Sequence, residues 1–142
     1  MSIDFISCAK NMSTEIKPCA VLFVGNVPDM AEFYRDLASM TVIQADSDHV
    51  VLEIEGLQLT IHALPSEPIS KSIDPQNLQI REDSYWKLCF PVGRIVEARE
   101  KAHRLGGLIK PPEAEWEARG FRACDGHDPE GNVIQVREQS RS

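Results

Sequence analysis

The alternation of apolar and polar positions sets in at Cys19. Ala20, Leu22 and Val24 take one side and Cys19, Val21 and Phe23 the other, which predicts a strand buried on both faces or facing a partly apolar cavity. Asn26 suits a helix N-cap and Pro28 a first helical turn. Met30, Phe33, Tyr34 and Leu37 then recur at helical spacing, so a helix is predicted as far as Ala38. Three strand-like runs follow at 40–45, 49–54 and 57–63, separated by Asp46-Ser47-Asp48 and Glu55-Gly56. Residues 65–84 contain prolines and mixed charges without a sustained period and read as a connector.

The same order then begins again. Leu88, Phe90 and Val92 alternate with Lys87, Cys89 and Pro91, and Ile95, Ala98, Ala102 and Leu105 mark a helix over 94–105, with Gly106 placed for a left-handed C-cap. A short strand is predicted at 108–110, a loop at 111–119, and strands at 121–127 and 133–138. Asp128-Pro129-Glu130-Gly131-Asn132 makes a tight turn between the last two. In the final strand Ile134 and Val136 point to a core, while Val133, Gln135 and Arg137 point away from it. Each half reads strand, helix, strand, strand, strand, an internal repeat that predicts an α+β fold of two βαβββ modules. The expected layout is an extension at 1–17, one domain at 18–138 with modules 18–64 and 85–138 joined by the connector, and a tail at 139–142.

A length of 142 residues suits one domain. The formal net charge of -7 argues against a nucleic-acid groove or an anionic membrane surface, both of which need clustered Lys and Arg. No apolar run approaches the ~20 residues of a membrane span, and residues 1–12 lack the apolar stretch of a signal peptide. A cytoplasmic location is the resulting expectation. Cys8, Cys19, Cys89 and Cys124 form no CxxC pair, which removes zinc-ribbon and thioredoxin-like readings and leaves buried free thiols as the simpler account.

The βαβββ repeat, with VGNVPDMAEFYRDLASM in the first half and FPVGRIVEAREKAHRLGG and GFRACDGHDPEGNVIQV in the second, resembles the vicinal oxygen chelate superfamily over about residues 18–138. That group includes glyoxalase I, extradiol dioxygenases, and fosfomycin- and bleomycin-resistance proteins. The resemblance implies that the two modules curl a mixed sheet around a cavity, with the helices outside and a homodimer completing it. It also implies metal-ligand positions, here Cys19 in the first strand, Thr60 or His62 in the fourth, Lys87 in the second half and Gln135 in the last strand. A Lys ammonium has no lone pair to give, and Gln135 offers a neutral carbonyl where relatives carry a carboxylate. This set does not satisfy zinc, nickel, iron or manganese. Relatives also carry Gly where this chain has Ser39 after the first helix; a left-handed conformation there would cost Ser about 1 kcal/mol.

The expected ligand-binding residues are Cys19, Phe23, Thr60, His62, Trp86, Lys87, Cys89, Trp116, Arg122 and Gln135. Lys87 either holds an anionic or hydrogen-bonding ligand or extends from a strand end into solvent. Gln135 either lines the cavity or bonds a neighbouring strand. Trp116, in the predicted loop beside Arg119 and Arg122, either closes the cavity mouth or anchors the loop. Phe23 and Trp86 supply apolar wall. His49 and His103 read as exposed positions, and Asp125 and His127 share a strand face. The leading reading is a metal-independent protein, without a cofactor, that binds a small molecule. Two alternatives stand beside it: a divalent-metal lyase, isomerase or dioxygenase using Cys19, His62 and His127, and an accessory binding module.

Overall fold

The computed structural model describes residues 16–65 and 77–140. Most of the predicted N-terminal extension, the middle of the connector and the end of the tail lie outside the described residues. The first module runs β1 (Cys19–Val24), α1 (Val27–Ala38), β2 (Thr41–Ala45), β3 (His49–Ile54) and β4 (Leu57–Ala63). The second runs β5 (Leu88–Pro91), α2 (Ile95–Arg104), β6 (Leu108–Ile109), a 3-10 turn (Pro112–Ala114), β7 (Trp116–Ala118), β8 (Phe121–His127) and β9 (Val133–Gln139).

Each module builds one mixed sheet. The first has the order β1-β4-β3-β2, with β1 parallel to β4 and the remaining pairs antiparallel. The second repeats it as β5-β9-β8, and β6 and β7 follow each other along the far edge of β8. The expected loop at 111–119 is thus corrected: its second half is a strand whose Trp116 pairs with Ala123 and Ala118 with Phe121. Three residues, Trp116-Glu117-Ala118, between Glu115 and Arg119 give too short an alternation to read. What holds the strand is the ladder to β8 and the Glu115 and Glu117 ion pairs to Arg122.

Helix α1 packs on β3 and β4, α2 on β6 and β9, and the two helices on each other. The shared core therefore lies on the helix side of both sheets, where Phe33, Tyr34, Leu52, Leu59, Ile61, Phe90, Ile134 and Val136 are buried. The side chain of Asn26 accepts the Asp29 N–H at 3.0 Å and caps α1. Arg94 gives α2 no such cap, and Glu138 of β9 supplies one instead by accepting the Ile95 N–H at 2.7 Å. Ser39 ends α1 in the left-handed region at φ 54°, as expected for the place where relatives carry Gly.

The modules are joined through the turn after β8. Asp128, fully buried, accepts the Tyr34 hydroxyl of α1 at 2.6 Å and the N–H groups of Glu130 and Asn132 at 2.9 and 3.0 Å. The Glu130 carboxylate reaches the first module and accepts the Gly25 and Asn26 N–H groups, the latter at 2.9 Å. Gly131, at φ 88°, passes so close to Gln79 that a side chain would run into its carbonyl. Lys17 of the expected extension is tied down by an ion pair to the buried Glu53 at 2.9 Å. Among the described residues no helix is long and apolar enough to cross a membrane.

Two predictions follow from these contacts. Ser39→Gly should stabilise the chain by about 1 kcal/mol in urea unfolding, because Gly carries no Cβ penalty at φ 54°; unchanged or lower stability would contradict it. Burial pushes the Asp128 carboxyl above its ordinary range, and the Tyr34, Asn132 and Glu130 donors only partly offset this. A raised carboxyl pKa means that stability is lost as pH climbs from the unfolded value, about 3.9, through the folded one. Tyr34→Phe removes a donor to the ionised form and should cost about 1.5–3 kcal/mol near pH 7. The loss should be smaller near pH 4, and equal losses at both pH values would sink this account.

Candidate functional site

Because the helices cover one side of each sheet, period-2 alternation leaves the other side with its own set of residues. On the first sheet this outer face carries Cys19, Val21 and Phe23 of β1 beside Thr60 and His62 of β4. Cys19 Sγ lies 3.4 Å from Thr60 Oγ1, and the Phe23 ring stands edge-on to His62 at 5.7 Å. Val21 and Phe23 are 53% and 51% exposed, a large apolar exposure for strand residues. Cys19 is exposed as well, so among the described residues only the Cys124 thiol is buried, with Cys89 intermediate; Cys8 lies outside the described residues. The expectation of buried thiols fails at Cys19 because its strand face has no cover among the described residues.

On the second sheet the outer face holds a connected polar strip. Asp125 and Gln135 are direct partners across β8 and β9, and Gln135 Nε2 donates to Asp125 Oδ1 at 3.0 Å. Lys87 Nζ donates to the same oxygen at 3.1 Å. Arg137 Nε donates to Gln135 Oε1 at 2.7 Å, and its Nη2 reaches Cys89 Sγ at 3.5 Å. The Arg137 guanidinium also lies 4.4 Å from the centre of the Phe121 ring, which meets Trp116 edge-on at 6.1 Å. Partial burial pushes the Asp125 carboxyl up, but hydrogen bonds from Gln135 and Lys87, with the charges of Lys87 and Lys110, outweigh it and hold the group below its ordinary range. Asp125 is therefore an anion between two cations, and the strip carries a formal charge of +1.

The ten expected ligand-binding residues divide accordingly. Cys19, Phe23, Thr60 and His62 share one outer face, while Lys87, Cys89, Gln135 and Trp116 share the other. Arg122 stands apart on the helix side, its Nε donating to Glu115, which also pairs with Arg99 of α2. Hydrogen bonds from Arg122, then from Arg99, hold the Glu115 carboxyl below its ordinary range. Trp86 is 77% exposed at the mouth of a cleft between β1 and the β5–β9 edge, lined by Ala20, Leu22, Leu88 and Ile134. That cleft holds only about 160 Å³, against the ~300–1,000 Å³ usual for ligand pockets. Asp125, Arg137 and Phe121 join the strip without having been expected to bind ligand. The signal for Arg137 and Asp125 was present, since each lies on the same strand face as, or directly across from, Gln135.

The metal site that the resemblance implies does not fit these residues. Gln135 Oε1 is already engaged by Arg137, Lys87 has no lone pair, and the two cations would repel a dication. His127 lies on β8 of the second sheet and bonds the Asp128 carbonyl at 2.9 Å, so it does not join His62 of the first.

Neither a family model nor a curated protein matches the chain. Solved structures do. An integron cassette protein from the mobile metagenome of Vibrio cholerae is 21% identical over 91% of this chain and 98% of its own, at a TM-score of 0.59. A glyoxalase/bleomycin resistance protein/dioxygenase family enzyme from Burkholderia phytofirmans is 16% identical over 86% of this chain and 97% of its own, at 0.63. The fosfomycin resistance protein FosX of Listeria monocytogenes, in complex with Mn(II) and sulfate, is 17% identical over 91% and 93%, at 0.61. With its paired βαβββ modules and these neighbours, the chain has the vicinal oxygen chelate fold, shared with glyoxalase, bleomycin resistance and dioxygenase proteins.

Proposed function

We propose that this chain binds a small organic molecule without a metal ion, on the outer faces of its two sheets, and sequesters a drug-like or metabolite ligand in the cytoplasm. The observation that carries this reading is the hydrogen bond from Arg137 to Gln135 Oε1 within the Lys87–Asp125 strip. Where metal-dependent relatives of this fold would carry a carboxylate ligand, this chain has a bonded amide between fixed cations. Such a surface favours a ligand with an anionic or hydrogen-bond-accepting group, held by Lys87 and Arg137, and an aromatic or apolar body against Phe121 and Trp116.

A single chain gives that ligand little enclosure. Among the described residues neither outer face has a covering layer, and Phe23 and Trp116 stand exposed on them. A homodimer in which the outer face of one module meets that of the other module from the second copy would cover both and form the cavity. Sedimentation at micromolar concentration should accordingly give a dimer.

The binding reading is tested by a thermal-shift screen of small organic acids and aromatic drugs against the full chain with excess EDTA. Ligands that raise Tm should do so equally with and without chelator, and Arg137→Leu should weaken them by about tenfold, the loss of one charge-assisted hydrogen bond. A ligand shift that EDTA abolishes and Arg137→Leu leaves intact would overturn the reading.

A further inference from the structure

The outer face of the first sheet ends in two imidazoles that stand apart from the Lys87–Arg137 strip of the second. His49 of β3 and His62 of β4 are direct cross-strand partners, with parallel rings at 9° and centres 5.7 Å apart. His62 Nδ1 lies 2.7 Å from the Ala63 carbonyl oxygen, which can only accept, so Nδ1 carries the proton and Nε2 keeps its lone pair in the neutral ring. His49 Nδ1 lies 2.8 Å from Asp48 Oδ1, which fixes the same tautomer. His62 Nε2 is 4.0 Å from Asp48 Oδ2, and His49 Nε2 lies 3.5 Å from both Asp46 Oδ2 and the Gln44 amide nitrogen. Both rings are partly accessible, at 23% and 35% exposure.

A histidine that binds a metal through one nitrogen generally donates its other N–H to a carbonyl or carboxylate, which orients the ring. His62 has that arrangement already through the Ala63 carbonyl, and His49 has it through Asp48, whose carboxylate leaves Nδ1 when it turns to the ion. We propose that His49 and His62, with Asp48, bind one divalent transition-metal ion of the zinc, nickel or copper class at the rim of the first sheet. One donor atom from each of the three lies within 4.8 Å of the others. Closing them around a zinc ion, at about 2.0–2.1 Å per bond, takes side-chain rotation of about an ångström or two and no backbone movement. Two imidazoles select these ions over magnesium and calcium, which take oxygen ligands. Three protein donors leave a fourth position open to water.

The site lies on the other sheet from the Lys87–Gln135 strip and stands whether or not that strip binds a ligand. Its test is calorimetric titration of the untagged full chain with zinc(II), and with magnesium as a control. The expected result is one zinc per chain and no magnesium heat. His49→Ala, His62→Ala and the volume-conserving His62→Asn should each lower zinc affinity at least tenfold, and Asp48→Asn should do so by about tenfold. Zinc should raise the Tm of the parent chain but not that of the double variant His49→Ala/His62→Ala. Cys19→Ser and Gln135→Ala should bind zinc as the parent does. Zinc binding undiminished by the folded histidine variants, or absent from the parent at millimolar metal, would overturn the site.

Discussion

The hydroxyl of Tyr34 bonded to the buried carboxylate of Asp128 is the contact on which the arrangement of the two modules depends. Tyr34 sits in the FYRDL stretch of α1, and Asp128 opens the DPEGN turn between β8 and β9. Asp128 organises its own turn by accepting the Glu130 and Asn132 N–H groups, and the same turn sends Glu130 to the start of α1. A buried carboxylate is expensive unless it is hydrogen-bonded. The several donors here, and the absence among the described residues of any buried unpaired polar side-chain atom, show how it is accommodated.

This joint has a consequence for chemistry. The core closes on the helix side, so the outer faces keep aromatic residues such as Phe23 and Trp116 exposed among the described residues, while Gln135 is buried among its partners in the strip. What stands on those faces decides what the fold can do here. On the second sheet, ion pairing and amide bonding use up the donor atoms that could hold a metal at the family position. Cationic nitrogens remain beside aromatic rings. On the first sheet, paired imidazoles with oriented rings remain instead. One fold thus offers two surfaces of opposite preference, one for anionic groups and one for a borderline metal ion.

Local alternation made most of the fold legible. The face of β9 was readable because Ile134 and Val136 mark the core side at period 2, whereas β1, apolar on both sides, gave no sign that its Cys19, Val21 and Phe23 face stands exposed. Ser39 was readable because the proteins the sequence resembles carry Gly at that position, where α1 ends. Strand β7 was not, since its three residues owe their conformation to pairing with β8. The same limit applies to the sites. His49 looked like an isolated exposed position because its partnership with His62 depends on the register of the β3–β4 hairpin. The bond between Arg137 and Gln135 depends on side-chain direction as well as spacing. Arg122 shares its face with Cys124, so alternation already placed it on the helix side; nearness to the Trp116 segment in sequence was the weaker guide.

The central claim is that the Lys87–Asp125–Gln135–Arg137 strip excludes the metal ion that a relative such as FosX holds. Electron paramagnetic resonance of manganese(II) tests it most directly. Manganese prefers oxygen donors and stands low in affinity for nitrogen sites, so the paired histidines do not compete for it. The account predicts that the signal of free aqueous manganese keeps its full amplitude when an equimolar amount of the chain is added. Loss of that signal, with recovery in Gln135→Ala, would contradict it.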